Sequence, residues 1–346
     1  MHSTAHIRKR LRNASGAVAF ALCALAAHAQ TTVYWDTNDA TSGAGPGDGT
    51  WTGANWTTSP DGTEKTSSWT DSNNVIFSAG TNLTGTYTVT VDSNVTTNNV
   101  MIDEGSPVLS VASGKTLNLG KGTQFASTIA LNAQTLTISG AGSTVITSTL
   151  IGTGSLIKEG TGTLQILGND LSTQSFTGTT RVNEGTVILD TLNNKNGAIT
   201  GPLLIGDGIG SANSAIVKNG PAPYANELIS NSSAVTLRSD GLLNINNQTE
   251  TIGSLTFENG GHASTGGRSG NLIVGSSGSG TVTSTGTATI DGGGQLTART
   301  FDVTNGELNI TANLTGDNLN PVKTGDGTLV LSGTNTYSNS IIAVND

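Results

Sequence analysis

The chain has 346 residues, of which 47 are Gly; only 11% are charged and 4% aromatic. Good helix formers are scarce beside Gly, Thr, Ser and Asn, which excludes a helical protein. The low charge and the abundance of Val, Ile, Leu and Thr exclude simple disorder. What remains is an all-β chain of many short strands and tight turns, either two domains or one large one.

The first residues read as an export signal. Arg8, Lys9, Arg10 and Arg12 form a basic start, Ala14 to Ala27 is apolar, and Ala27-His28-Ala29 is a small-residue cleavage site. Residues 1–29 are therefore expected to be removed, leaving Gln30 first. A lipoprotein signal around Cys23 is disfavoured by Leu22, where such signals carry a small residue. The apolar stretch is too short for a bilayer, and no later segment nears the roughly 20 apolar residues of a membrane helix, so no integral span is expected. Loss of the four basic residues leaves 11 Lys and Arg against 24 Asp and Glu, a net charge of −13. Such a chain will not bind nucleic acid through phosphate. With Cys23 gone it has no disulfide, and His262 is the only His left.

Residues 30–80 carry all four Trp: Trp35, Trp51, Trp56 and Trp69. Large aromatics are efficient core material, and a solenoid needs its end coil covered, so this segment is read as an N-terminal cap. The competing reading is a set of exposed rings that stack on sugars. In the same segment Asp36-Thr-Asn38-Asp39 has the opening spacing of an EF-hand loop, but Ala40 stands where the next ligand belongs.

From residue 81 to 346 apolar and polar residues alternate in short runs. Tyr87-Thr-Val89-Thr-Val91, Leu117-Asn-Leu119, Leu136-Thr-Ile138, Leu164-Gln-Ile166 and Val187-Ile-Leu189 come first. Leu242 to Ile245, Leu255-Thr-Phe257, Leu308-Asn-Ile310 and Leu329-Val-Leu331 follow. Alternation sends one face inward. Leu117, Leu136 and Leu156 lie 19 and 20 apart. Glu159-Gly-Thr recurs at Glu184, 25 on, and Gly162-Thr-Leu at Gly185, 23 on. A period of 20 to 25 fits the coils of a parallel β-helix, each turn covering the next. Residues 30–346 would make about 13 coils, a rod on the order of 60 Å long. A pair of Greek-key sandwiches is the alternative. Leu164, Ile166, Val187, Leu189, Leu329 and Leu331 are expected to be buried.

A longer repeat covers about 152–189: Lys158-Glu-Gly160-Thr-Gly162-Thr-Leu164-Gln-Ile-Leu-Gly168-Asn169, then Phe176-Thr-Gly178, closing on Gly185-Thr-Val187. It restarts at 322–346 as Lys323-Thr-Gly325-Asp-Gly327-Thr-Leu329-Val-Leu331-Ser-Gly333-Thr-Asn335-Thr-Tyr337. The pattern resembles the autotransporter-associated β-strand repeat, also called the passenger-associated transport repeat. The first copy departs by extra residues before Phe176, and by Phe for Tyr; the second stops before its closing Gly. Thr251 to Gly260 and the opening Trp35-Asp to Trp56 stretch are similar to segments that accompany such repeats. The resemblance implies a right-handed, single-stranded, pectin-lyase-like β-helix carried as a passenger outside a Gram-negative-type cell. It also implies a partner barrel in the outer membrane, and no barrel pattern lies within residues 30–346. Because the second copy breaks off at an open strand edge, the chain is expected to be the N-terminal part of a longer product.

Catalytic signatures are weak. Ser155-Leu-Ile-Lys158 with Lys323-Thr-Gly325 imitates the S-x-x-K and K-T-G elements of penicillin-interacting enzymes, without a helix or an S-D-N. Asp103-Glu104, Asp190, Asp207 and Asp291 are scattered and read as turn formers. Lys158 and Lys323 are placed at solvated turns, and His262, among glycines, in an exposed loop. The reading is an exported structural passenger, not an enzyme, with no catalytic residue, metal or cofactor. The alternatives are a surface adhesin that binds glycans, and a glycan-cleaving β-helix, which three or more carboxylates in one groove would favour.

Overall fold

The computed structural model describes residues 31–120, 127–167, 175–190, 197–221, 226–316, 319–337 and 343–344. Residues 1–29, read from the sequence as an export signal, lie outside these. The fold is a β-solenoid of about 10 turns, with a single 3-10 turn at Ser276–Gly278 as its helical content among the described residues. Each coil contributes up to three short strands in a fixed order, and each strand pairs in parallel with its counterpart one coil away. The strands thus collect into three axial faces.

The first face is a seven-stranded sheet running to Ser175–Phe176, and then a four-stranded sheet from Thr249–Ile252 to Asn313–Leu314. The second face has 13 strands and the third has 11. The one antiparallel strand pair joins Thr32–Trp35 to Trp56–Thr57 at the end of the first face. All other strand pairs among the described residues are parallel, as the solenoid reading requires and the sandwich reading forbids.

The third face shows the ladder most clearly. Leu117, Thr144, Leu164, Val187, Val217, Leu243, Ala263, Ile290, Ile310 and Leu331 stand in register, one per coil. Their spacing ranges from 20 to 30 residues, with an upper end beyond the 25 expected, because some corners carry longer connections. The fold has about 10 turns against the 13 expected, although the second face gathers 13 strands, with the two-residue strands Gly49–Thr50 and Ala343–Val344 at its ends. The interval of 23 between Gly162-Thr-Leu and Gly185-Thr-Val is a true coil period, since Thr163 pairs with Thr186. The interval of 25 is not. Nor is the step from Leu117 to Leu136, which joins two faces; Leu136 pairs with Leu156 on the second face.

Alternation governs burial as expected. Leu164, Ile166, Val187 and Leu189 are fully buried, but Leu329 and Leu331 are only partly so. Among the described residues the strand Thr328–Leu331 is the outermost of the third face, with no further rung of that sheet over it.

The first face is interrupted between its two sheets, where Ile199 and Ile229 form an isolated bridge. Two glutamates knit the neighbouring rungs. Fully buried Glu250 accepts Nδ2 of Asn219 and the backbone N–H groups of Leu228 and Ile229, at 2.9 to 3.0 Å. Glu227 in turn accepts N–H and Oγ1–H of Thr251. Burial outweighs these three donors and pushes the Glu250 carboxyl up to about 8 from an ordinary 4.5. The folded form therefore binds the proton more tightly than the unfolded chain. Its contribution to stability is complete below pH 4.5 and is lost as pH rises through 8. Thermal midpoints are expected to fall across that window, and Glu250→Gln to flatten the fall. An unchanged slope in the variant would assign the effect elsewhere.

Candidate functional site

Three features of the sequence reading converge on the first repeat. Lys158 ends the strand Ser155–Lys158 of the second face, in register with Ile138 and Val182. It thus occupies an inward rung of an otherwise aliphatic row and is 1% exposed, not at a solvated turn. Strand alternation is the reason: the Lys follows Leu156 by two residues, so both point inward. The ammonium is held by three backbone carbonyls, Glu159 O at 2.7 Å, Gly160 O at 2.5 Å and Glu184 O at 3.2 Å. The last belongs to the next coil, so one side chain ties two coils together. Burial draws the amine down to about 8, against the pull of the Glu184 and Glu159 charges. Lys323 of the second repeat, partly exposed, likewise donates to the carbonyl two residues on, that of Gly325.

The closing glycine of the repeat completes the cage. Gly185 has φ +78°, and a Cβ there would lie 2.5 Å from Gly162 O and 2.7 Å from Lys158 Nζ. Gly185→Ala therefore combines a left-handed backbone with a blocked site. The expected loss is about 2–4 kcal/mol, from roughly 1–2 for the conformation and the remainder for overpacking. Denaturant titration would read it, and a loss below about 1 kcal/mol would mean the cage yields easily.

The same corner, between second and third faces, opens as a groove lined by Glu159, Asn183, Glu184, Asp207, Ile209 and Ser214, among others. Three carboxylates share it, and Asp207 alone had been singled out from the sequence. Glu159 and Glu184 enter the sequence reading only as markers of the repeat, because an acidic residue in a repeat turn is an ordinary solvated one. Three of these groups come from separate coils, which only the coil register brings together.

The remaining candidates are dispersed. Asp190 follows the third-face strand Gly185–Leu189 and accepts Gln165 Nε2 at 3.1 Å, whereas Asp207 follows the second-face strand Leu203–Ile205. The two sit at different corners. Glu104 accepts Ser78 Oγ and Leu83 N; for Asp103 the structure records no side-chain bond. His262 is not in a loop but in the strand Gly261–Ser264, its Nε2 3.0 Å from Asp291 Oδ2. Ser155 and Lys158 face opposite sides of one strand, the Ser outward, so they cannot form a nucleophile and base. In the turn Asp36 to Asp39, Asp36 Oδ1 accepts Asn38 N and Asp39 Oδ1 accepts Thr66 N, both at 2.9 Å. Among the described residues no three His, Cys, Asp or Glu converge tightly enough to hold a metal ion.

The aromatic end is a packed cluster. Trp35, Trp51 and Trp56 are at most 1% exposed, and Trp69 is partly buried against Trp51 and Trp56 at 5.4 and 5.1 Å between ring centres.

Against known families, the passenger-associated-transport-repeat model matches residues 156–189 and 322–345. No curated protein and no solved structure matches the chain. No helix among the described residues is long and apolar enough to cross a membrane.

Proposed function

We propose that this chain is an exported β-solenoid passenger, presented at the outer surface of a bacterial cell, whose repeats assist its export and folding. The observation that carries this is the coincidence of the matched repeat with the Lys158 cage. In the first copy the Lys of the repeat, Lys158, clamps one coil onto the next, and its closing Gly185 leaves the room that clamp needs. A chain that leaves the cell unfolded must wind up outside it, and a solenoid needs only the previous coil as template. A clamp at one coil resists unwinding of the coils already formed. An outer-membrane barrel is the partner such a chain would use, and the basic, apolar and A-x-A order of residues 8–29 would direct it to the inner membrane first. The role is structural, and no catalytic residue is assigned.

The sugar-stacking alternative rested on exposed Trp rings. With Trp35, Trp51 and Trp56 buried, it loses that support.

Export of the full chain from a Gram-negative host tests the proposal. Lys158→Ala and Gly185→Ala are compared with Leu243→Ala, a fully buried core position remote from the repeats. The fraction of chain reaching protease added outside the cells is the readout. The repeat variants are expected to lose more export than a core variant of equal thermal stability. Equal loss would reduce the repeats to ordinary coils.

A further inference from the structure

The corners between second and third faces are short everywhere but once. From Val111 to Thr116, Lys158 to Thr163, Arg238 to Gly241 or Val303 to Glu307, the connection is two to four residues. Between Leu203–Ile205 and Ala215–Asn219 it is nine, residues 206–214. An insertion at one corner of a repetitive rod adds nothing to the stacking, and such insertions carry the binding surfaces of solenoids. This one is ordered by its own contacts. Asp207 and Gly208 donate backbone N–H to Asp240, and Asn213 Oδ1 lies 3.3 Å from His262 Nδ1, two coils further along.

On its other side the insertion walls the groove over Glu159, Asn183 and Glu184. Three observations define the chemistry there. First, the carboxylates of Glu159, Glu184 and Asp207 form no ion pair among the described residues, where the one Lys or Arg pair is Arg238–Glu258; the nearest cation is the buried Lys158 ammonium, held by the backbone carbonyls of Glu159 and Glu184. Second, Ile209 stands 75% exposed at the tip of the insertion, one of two large apolar side chains so exposed among the described residues. Third, Ser214 Oγ in the wall is shut off from solvent and has no hydrogen-bond partner.

We propose that this groove docks an extended peptide segment of a partner protein with Lys or Arg at alternate positions. The carboxylates do not converge on a point, which argues against a single metal ion. They lie on three successive coils, hence over about 10 Å at the ~4.8 Å rung spacing. Same-side residues of an extended strand are roughly 7 Å apart, so two or three basic side chains match that reach. A Lys or Arg side chain joins an apolar stem to a charged head, which suits Ile209 beside three carboxylates. A neutral saccharide would leave a net negative groove, since three carboxylates face the single buried Lys158 ammonium.

Binding of the labelled peptide acetyl-Lys-Thr-Lys-Thr-Lys-amide to the whole chain, followed by fluorescence anisotropy, tests the proposal. Glu159→Gln with Glu184→Gln changes two exposed side chains and should lower affinity at least tenfold, while Glu64→Gln, at the far end of the rod, should not. Replacing 206–214 by a three-residue corner should abolish binding, with circular dichroism reporting that the coils persist. The Glu-Thr-Glu-Thr-Glu counterpart should not bind. Equal binding by the double variant would overturn the proposal. So would a neutral oligosaccharide that binds the groove and is lost with the same substitutions, since the site would then be a sugar site. These readouts are independent of export, so the passenger reading stands or fails separately.

Discussion

Trp56→Ala is expected to cost about 3–5 kcal/mol, the range for removing a large buried aromatic. Trp56 is 1% exposed and sits at the centre of the aromatic end, with ring centres 4.9 Å from Trp35, 5.2 Å from Trp51 and 6.0 Å from Phe77. Its Nε1 donates to Trp51 O at 2.7 Å, so truncation also orphans a buried carbonyl. It belongs, too, to the antiparallel strand that covers the edge of the first face. Calorimetry would show the loss, and hydrogen exchange would place it in the coils nearest Trp35. A loss under 1 kcal/mol, or one spread evenly along the rod, would mean the aromatic end does not hold the first coils.

Leu164→Ala is expected to cost about 2–5 kcal/mol. Leu164 is fully buried between Thr144 and Val187 in its row, and the flanking rungs are fixed by backbone pairing and cannot collapse into the space. Leu329→Ala removes the same atoms at an outermost rung, where the side chain is half covered, and its loss should be clearly smaller. Chemical denaturation of the two variants side by side separates them. Equal losses would show that coverage by a following rung is not what sets the cost.

Much of this was legible in the sequence because a strand records its own facing. Leu164 and Ile166 announce an inward side through alternation alone, and Trp35, Trp51 and Trp56 announce a dense core by size. The Lys158 rung was misread for a related reason. Alternation marks a position as inward, but hydropathy then overrules it for a charged residue. Only the carbonyls of Glu159, Gly160 and Glu184, which no pattern displays, make the burial tolerable. His262 was misplaced among its flanking glycines, which suggested a loop although Gly261 is itself a strand residue. The groove was illegible because Glu159, Glu184 and Asp207 meet across coils whose spacing varies from 20 to 30 residues. The length of the 206–214 corner was in plain view, but it becomes conspicuous only once the other corners are known to be short.

Glu250 and Lys158 place two buried charges on the same rod with opposite dependence on pH. The Lys amine binds its proton less tightly when folded, near 8 against an ordinary 10.5, so its contribution is present above 10.5 and lost as pH falls through 8. The Glu250 contribution is lost as pH rises to the same region. The two therefore oppose the fold together most strongly around pH 8.

The parallel ladders also fix how the molecule bears load. Backbone hydrogen bonds run along the rod, and each coil of 20 to 30 residues is joined only to its neighbours. Tension applied at the two chain ends therefore does not shear the whole sheet at once. It unzips the outermost coil, releasing on the order of 70–100 Å of extended chain before the next rung is engaged. The rod yields in steps, as a tether that pays out length under force while its remaining coils stay wound, and the Lys158 clamp sets the step at which it resists.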